Sequence, residues 1–176
     1  NPFVPNPTAD PSIYALGVRD PQSMAIHPQT GDLWIIENEP RGGDELNLIK
    51  PGKNYGFPLI SYGRDNDGTP LNGGLTQKAG LEQPVYFWTP SVAFSGMTFY
   101  TGDTLPKWKN SIFAGGLSGM QLVRLELSAD GRVVGEEKLL RDMCRRIRDV
   151  RQGPDGNLYV ITDHADGEIL RISRNP

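Results

Sequence analysis

Four carboxylates, Glu37, Glu39, Asp44 and Glu45, fall within nine residues of the stretch ENEPRGGDELNLIKPGKNY over 37–55. Hard oxygen donors beside a flexible Gly-Gly pair suit a calcium ion, which takes many oxygen ligands in loose geometry. The same composition describes a solvated acidic surface loop, and the residues alone leave both readings open. A second group is basic. Arg146 and Arg148 stand two apart, which on a strand sends both side chains to one face. Guanidinium groups bind planar anions through paired, charge-assisted hydrogen bonds, although two surface arginines on a polar strand face share that spacing. The histidines complete no acid–base set: His27 precedes a proline and His164 follows the last long apolar run, so both read as turn residues. No Ser/His/Asp arrangement, paired-cysteine metal motif or glycine-rich phosphate loop offers other chemistry.

Such groups need a frame, and the chain spells one of short strands. Its 176 residues hold 21 glycines and 15 prolines that punctuate brief apolar runs, the pattern of an all-β chain rich in turns. Residues 1–13 read as an extended, proline-rich lead-in. Strands are expected over 14–18, 24–27, 33–36 and 46–49, with 55–62 finishing that sheet. The segment 63–83 reads as a long loop. It is not an EF-hand: with Gly68 as the turn glycine, the first and last ligand positions fall on Gly63 and Gly74. Strands over 85–88, 96–100, 112–117, 122–127 and 135–140 then make roughly one four-stranded unit, with Asp130-Gly131 as a hairpin turn. The run PDGNLYVI over 154–161 echoes PQTGDLWII over 28–36. A four-stranded unit recurring at this period is the signature of a β-propeller blade. About three blades of four antiparallel strands are counted, too few to close a ring, so the 176 residues are expected to be half of one larger propeller domain and to need the other half as partner.

The strings RDPQ (19–22), EPRGGDELN (39–47), NYGFP (54–58), EQPVYFWTPS (82–91), SGMTFY (95–100) and RIRDVRQGPDGNLYVITD (146–163) resemble, in order, the C-terminal half of the soluble aldose sugar dehydrogenases, the glucose/sorbosone dehydrogenase family. The resemblance covers 14–173. It implies a six-bladed propeller that binds pyrroloquinoline quinone (PQQ) with calcium and oxidises the anomeric hydroxyl of aldoses to lactones. It also implies that Arg19, Asp20, Gln22, Arg146 and Arg148, with Gly116, Leu117 and Ser118, surround the quinone. Glu45, through its carboxylate, and Tyr55, through its backbone carbonyl, would hold a structural calcium; the carbonyls of Glu39 and Pro40 would hold a second one at the quinone. The family's proton-accepting histidine lies in the other half, so no catalytic residue is assigned here. A periplasmic or secreted location is implied by the family only.

The chain departs from the family at four places. Asp20 stands where asparagine is usual, Ser118 where a lysine is usual, Glu39 where glycine is usual, and Asn66 near a common tyrosine. The first two remove positive or add negative charge beside a tricarboxylate. A second reading therefore follows: a non-catalytic, calcium-stabilised propeller that binds a sugar or a protein. A net charge of −3 with dispersed Lys and Arg offers no basic face for nucleic acid. No apolar run is long enough to span a bilayer, and Cys144, alone, can form no internal disulfide. Trp34, Trp88 and Trp108 read as core.

Overall fold

A computed structural model describes residues 2–174; Asn1 of the lead-in and the two final residues lie outside the described residues. Over the described residues the fold is all-β, with three antiparallel sheets. The first contains β1 (Pro21–Ile26), β2 (Leu33–Glu37), β3 (Asp44–Ile49) and β4 (Tyr86–Trp88) in that order. The second runs β5 (Phe94–Phe99), β6 (Ile112–Gly116), β7 (Gln121–Leu127) and β8 (Val133–Leu139). The third has three strands, β9 (Ile147–Gln152), β10 (Leu158–Thr162) and β11 (Ile169–Ile172). The leading strands lie side by side, β5 packing against β1 on one flank and β9 on the other.

Alternation explains how the sheets stack. Along β6, Ile112 and Ala114 join the core shared with Trp34, Ile36, Leu46 and Trp88 of the first sheet. Phe113 points the other way, into a core with Ile147, Val150, Leu158 and Val160 of the third. β6 is thus buried on both faces, which is why IFAGG carries no polar side chain, whereas the outer strand β8 has no buried residue. Each fully buried side chain of this size contributes about 1.5–3 kcal/mol. The outer faces lack such cover: Met24 and Ile26 on the first sheet are 70% and 59% exposed, and Ile169 on the third is 75% exposed.

Several expectations change. The fourth strand of the first sheet is Tyr86–Trp88, with Leu46 opposite Tyr86, not 55–62. Residues 55–62 form turns, because Gly56 at φ +100° folds the chain back onto Ile60. The strand over 85–88 accordingly belongs to the first sheet and not to the second. Segment 14–18 makes one bridge, Leu16 to Asn54, and no strand. The lead-in is a series of tight turns, not extended, since the Asn6 and Asp10 carboxamide and carboxylate accept bonds from Thr8 and Ser12 two residues on. The 63–83 loop forms no named strand and only one short 3₁₀ turn, Leu71–Gly74.

Candidate functional site

Register brings the chemically interesting residues to one end of the sheets. Pro21 pairs with Glu37, and Glu37 with Glu45, so the 19–22 segment and the acidic turn adjoin. Asn38 ties that end to the second sheet: its side chain accepts from the Phe94 amide at 2.7 Å and donates to the Phe94 carbonyl at 3.0 Å. The Ser95 hydroxyl reaches the Ile147 carbonyl at 2.7 Å, which joins the third sheet. Between the leading strands lies an open hollow of about 320 Å³ lined by Gln22, Ser95, Gly96, Arg148, Asp149 and Arg151. Gly96 is required there, since a Cβ would come within 1.6 Å of the Asp149 carboxylate.

Arg146 and Arg148 converge, and on one partner. Asp163 Oδ2 accepts from Arg146 Nε at 2.8 Å, Arg146 Nη2 at 2.7 Å and Arg148 Nη2 at 3.0 Å. The Arg146 hydrogen bond, with the charges of both arginines, holds the Asp163 carboxyl below its ordinary value. Sequence reasoning missed this role. The signal was the hairpin register: Thr162 pairs with Ile147, which puts Asp163 opposite Arg146.

Arg19 is held differently. Its guanidinium donates to the Asn38 carbonyl at 2.8 Å, lies 3.7 Å from Glu39 and 4.0 Å from Asp20, and sits over the Phe57 ring. Its backbone N–H donates to Glu37 Oε2 at 2.6 Å. Gln22 donates to Asp20 Oδ1 at 2.8 Å. Gly116, Leu117 and Ser118 turn elsewhere: the Leu117 amide binds the Ala93 carbonyl and the Ser118 hydroxyl the Ser91 carbonyl. They do not line the hollow that Gln22 and Arg148 share.

The acidic turn is buried, not solvated. Glu37, Glu39, Asp44 and Glu45 are all at most 9% exposed. Asp44 is a clamp whose oxygens are taken by the Ser91 hydroxyl and the amides of Glu39, Val92 and Ala93. Gly43, at φ +87°, lets this turn lie against the backbone of 62–63, where a Cβ would meet Gly63 N at 2.4 Å. Glu37 and Glu45 face each other across β2 and β3, and Asn47 Nδ2 donates to both, at 2.8 and 3.0 Å. Burial pushes the Glu45 carboxyl up to about 8, with Glu37 and Glu39 adding repulsion that the Asn47 bond offsets in part. Burial likewise pushes Glu39 up to about 7, against the pull of Arg19.

Two buried oxygens in this cluster have no hydrogen-bond partner: Asn47 Oδ1, and Glu39 Oε2, whose charged neighbour Arg19 Nε stays 3.7 Å away. Orphaned acceptors among opposed carboxylates are costly, and a hard cation is the group that would satisfy them. Among the described residues no three acidic or histidine side chains form a ready metal cage, so backbone oxygens would have to complete it. Tyr55 could serve only in that way: its hydroxyl donates to the Leu48 carbonyl and accepts from the Lys50 amide. Pro40 lies in the same turn, with its carbonyl as its sole polar group. His27 accepts from the amides of Gln29 and Thr30 in the hairpin turn at the opposite end of β1, and His164 pairs with Asp166. Trp34 and Trp88 are core residues.

Residues 1–171 match the family model described as "Glucose / Sorbosone dehydrogenase". An Escherichia coli K12 protein, aldose sugar dehydrogenase YliI, is 42% identical over 174 residues, 98% of this chain and 47% of its own. A crystal structure of a glucose dehydrogenase superposes with a TM-score of 0.95 at 45% identity, covering 99% of this chain and 51% of that one. The PQQ-bound form of an aldose sugar dehydrogenase from Streptomyces coelicolor superposes at 0.70 and 27% identity over 98% and 48%. The chain spans about half the length of these relatives. Among the described residues no helix is long and apolar enough to cross a membrane.

Proposed function

The chain belongs to the glucose/sorbosone dehydrogenase family, and on that premise we propose that it is half of a six-bladed propeller acting as a PQQ- and calcium-dependent aldose dehydrogenase. The observation that carries this reading is the meeting of Arg146 and Arg148 at one end of the leading strands, beside the hollow that Arg148 shares with Gln22. Their donor set suits a planar carboxylated ligand. Asp20 adjoins this hollow through its bond to Gln22, and Arg19 and the 116–118 turn would have to move to join it. When bound, PQQ would supply the two-electron acceptor for oxidation of the anomeric hydroxyl of an aldose to a lactone.

The residues of this chain bind and orient; the base that takes the sugar's hydroxyl proton comes from the rest of the protein. Glu45, with the Tyr55 carbonyl, would hold the structural cation, and the orphaned Glu39 and Asn47 oxygens fit that charge. The Glu39 and Pro40 carbonyls would serve a second cation at the quinone. The bare faces carrying Met24, Ile26 and Ile169 are where the other half would pack. Family membership also suggests a periplasmic or secreted enzyme.

One observation favours the second reading, a calcium-stabilised scaffold without the quinone: both arginines are already engaged by Asp163. Absorbance titration of the full-length protein with PQQ, in calcium and in chelator, separates the two. Tight, calcium-dependent binding followed by dye-linked oxidation of an aldose supports the dehydrogenase; absence of binding to the folded, full-length protein supports the scaffold.

A further inference from the structure

The acidic turn and the Arg19 segment are joined by an unbroken line of short hydrogen bonds. Glu45 Oε2 and Glu37 Oε1 share the Asn47 carboxamide as donor, at 3.0 and 2.8 Å. The other Glu37 oxygen accepts the Arg19 backbone N–H at 2.6 Å. A second tie runs through the adjacent residue, because the Asn38 amide donates to the Asp20 carbonyl and the Asn38 carbonyl receives the Arg19 guanidinium. Glu37 is 3% exposed and Asn47 wholly buried, so neither water nor a mobile side chain can replace these contacts at low cost. Beyond these ties, segment 19–22 is held by the Arg19 guanidinium against Glu39 and the Phe57 ring and by the pairing of Pro21 with Glu37. It precedes and opens β1, and Asp20 and Gln22 bond chiefly to each other in solvent.

We propose that Glu37 and Asn47 are positioning residues that couple cation occupancy at Glu45 to the placement of Arg19. This inference rests on the calcium reading given above. A cation on Glu45 fixes the orientation of that carboxylate, which sets the direction of the Asn47 amide. Asn47 in turn holds Glu37 with its second oxygen towards the Arg19 amide. Without the cation, the opposed carboxylates separate, Asn47 loses one of its two acceptors, and the Arg19 segment is released. The two sites thus bias one structural element, and by linkage each ligand tightens the other.

The test reads the backbone of 14–24 by hydrogen–deuterium exchange in the full-length protein, with calcium and with chelator, so it needs no quinone. Calcium is expected to slow exchange of this segment about tenfold or more, the factor that corresponds to about 1.4 kcal/mol of local closure. In Asn47→Ala, which also removes the carboxamide oxygen offered to the cation, the slowing should fall to less than about twofold; in Glu37→Gln, which leaves that oxygen in place, it should fall as far while calcium still raises the melting temperature. Glu37→Gln keeps an oxygen for the Arg19 amide but loses the charge, and it is the second variant should the first not fold. Calcium protection of 14–24 that is absent in the wild type, or undiminished in both variants, overturns the coupling. Protection that behaves as expected in a protein that binds no PQQ leaves the coupling standing and refutes the dehydrogenase reading instead.

Discussion

Stripping calcium from the full-length protein should make its stability fall as pH rises through neutrality, and calcium should abolish that fall. Glu45 stands 9% exposed with its carboxyl raised from 4.5 to about 8, chiefly by burial. At about 1.4 kcal/mol per pH unit, this costs the ionised folded form about 5 kcal/mol. The sign is that of an acid raised by folding. The unfolded chain ionises near 4.5 and the folded one near 8, so the contribution is complete below about pH 4.5, declines across the interval, and is gone above 8. Glu39, raised to about 7, adds a decline of the same sign. A divalent cation binds the ionised folded form alone, so calcium stabilises most where the apo protein is weakest. Urea denaturation from about pH 5 to pH 9, in chelator and in calcium, measures both slopes. Expected is a loss of several kcal/mol across that range in chelator and a nearly flat profile in calcium, with Glu45→Gln flattening the chelator profile and blunting the calcium response. An apo stability that is level or rising between pH 6 and 9, or a calcium effect independent of pH, would refute the reasoning.

Three further outcomes follow from the geometry. Arg148→Lys replaces a planar fork with a point charge and should weaken PQQ binding about tenfold or more by absorbance titration; unchanged affinity would remove Arg148 from the binding set. Asp20→Asn takes one negative charge from beside Gln22, which lines the hollow, and because Asp20 is half exposed the gain in PQQ affinity should be only a fewfold and should shrink with added salt. Residues 1–176 expressed alone should self-associate in size-exclusion chromatography and bind a hydrophobic dye, whereas co-expression with the remainder of the protein should yield one soluble complex; a stable, dye-silent monomer of the fragment would contradict the half-ring account.

Brief apolar runs set between turn residues made the hairpins legible, as at Asp130-Gly131, where φ +80° at Gly131 joins β7 to β8. What escaped was non-local. Tyr86–Trp88 follows a long excursion and completes the first sheet, a pairing decided by where Leu46 and Asp44 leave an open edge. No local pattern marks that edge, because the intervening turns contribute no strand period. Residues 55–62 looked like the better candidate only by proximity in sequence.

The candidate site divides in the same way. Arg146 and Arg148 could be read as co-facial from their spacing, but their common partner Asp163 emerges only once Thr162 is known to pair with Ile147. The acidic stretch could be read as a donor set, yet composition could not tell which acids are spent. Asp44 is a structural clamp fully engaged with 91–93, whereas Glu37 and Glu45 are opposed across two strands and bridged by Asn47. That difference is set by strand register: residues 45 and 47 share the face that looks towards 37, while 44 faces the neighbouring sheet. Burying like charges directly opposite one another destabilises a sheet unless something neutralises them. The arrangement is therefore consistent with a cation-binding role and inconsistent with the solvated acidic loop that composition alone allowed.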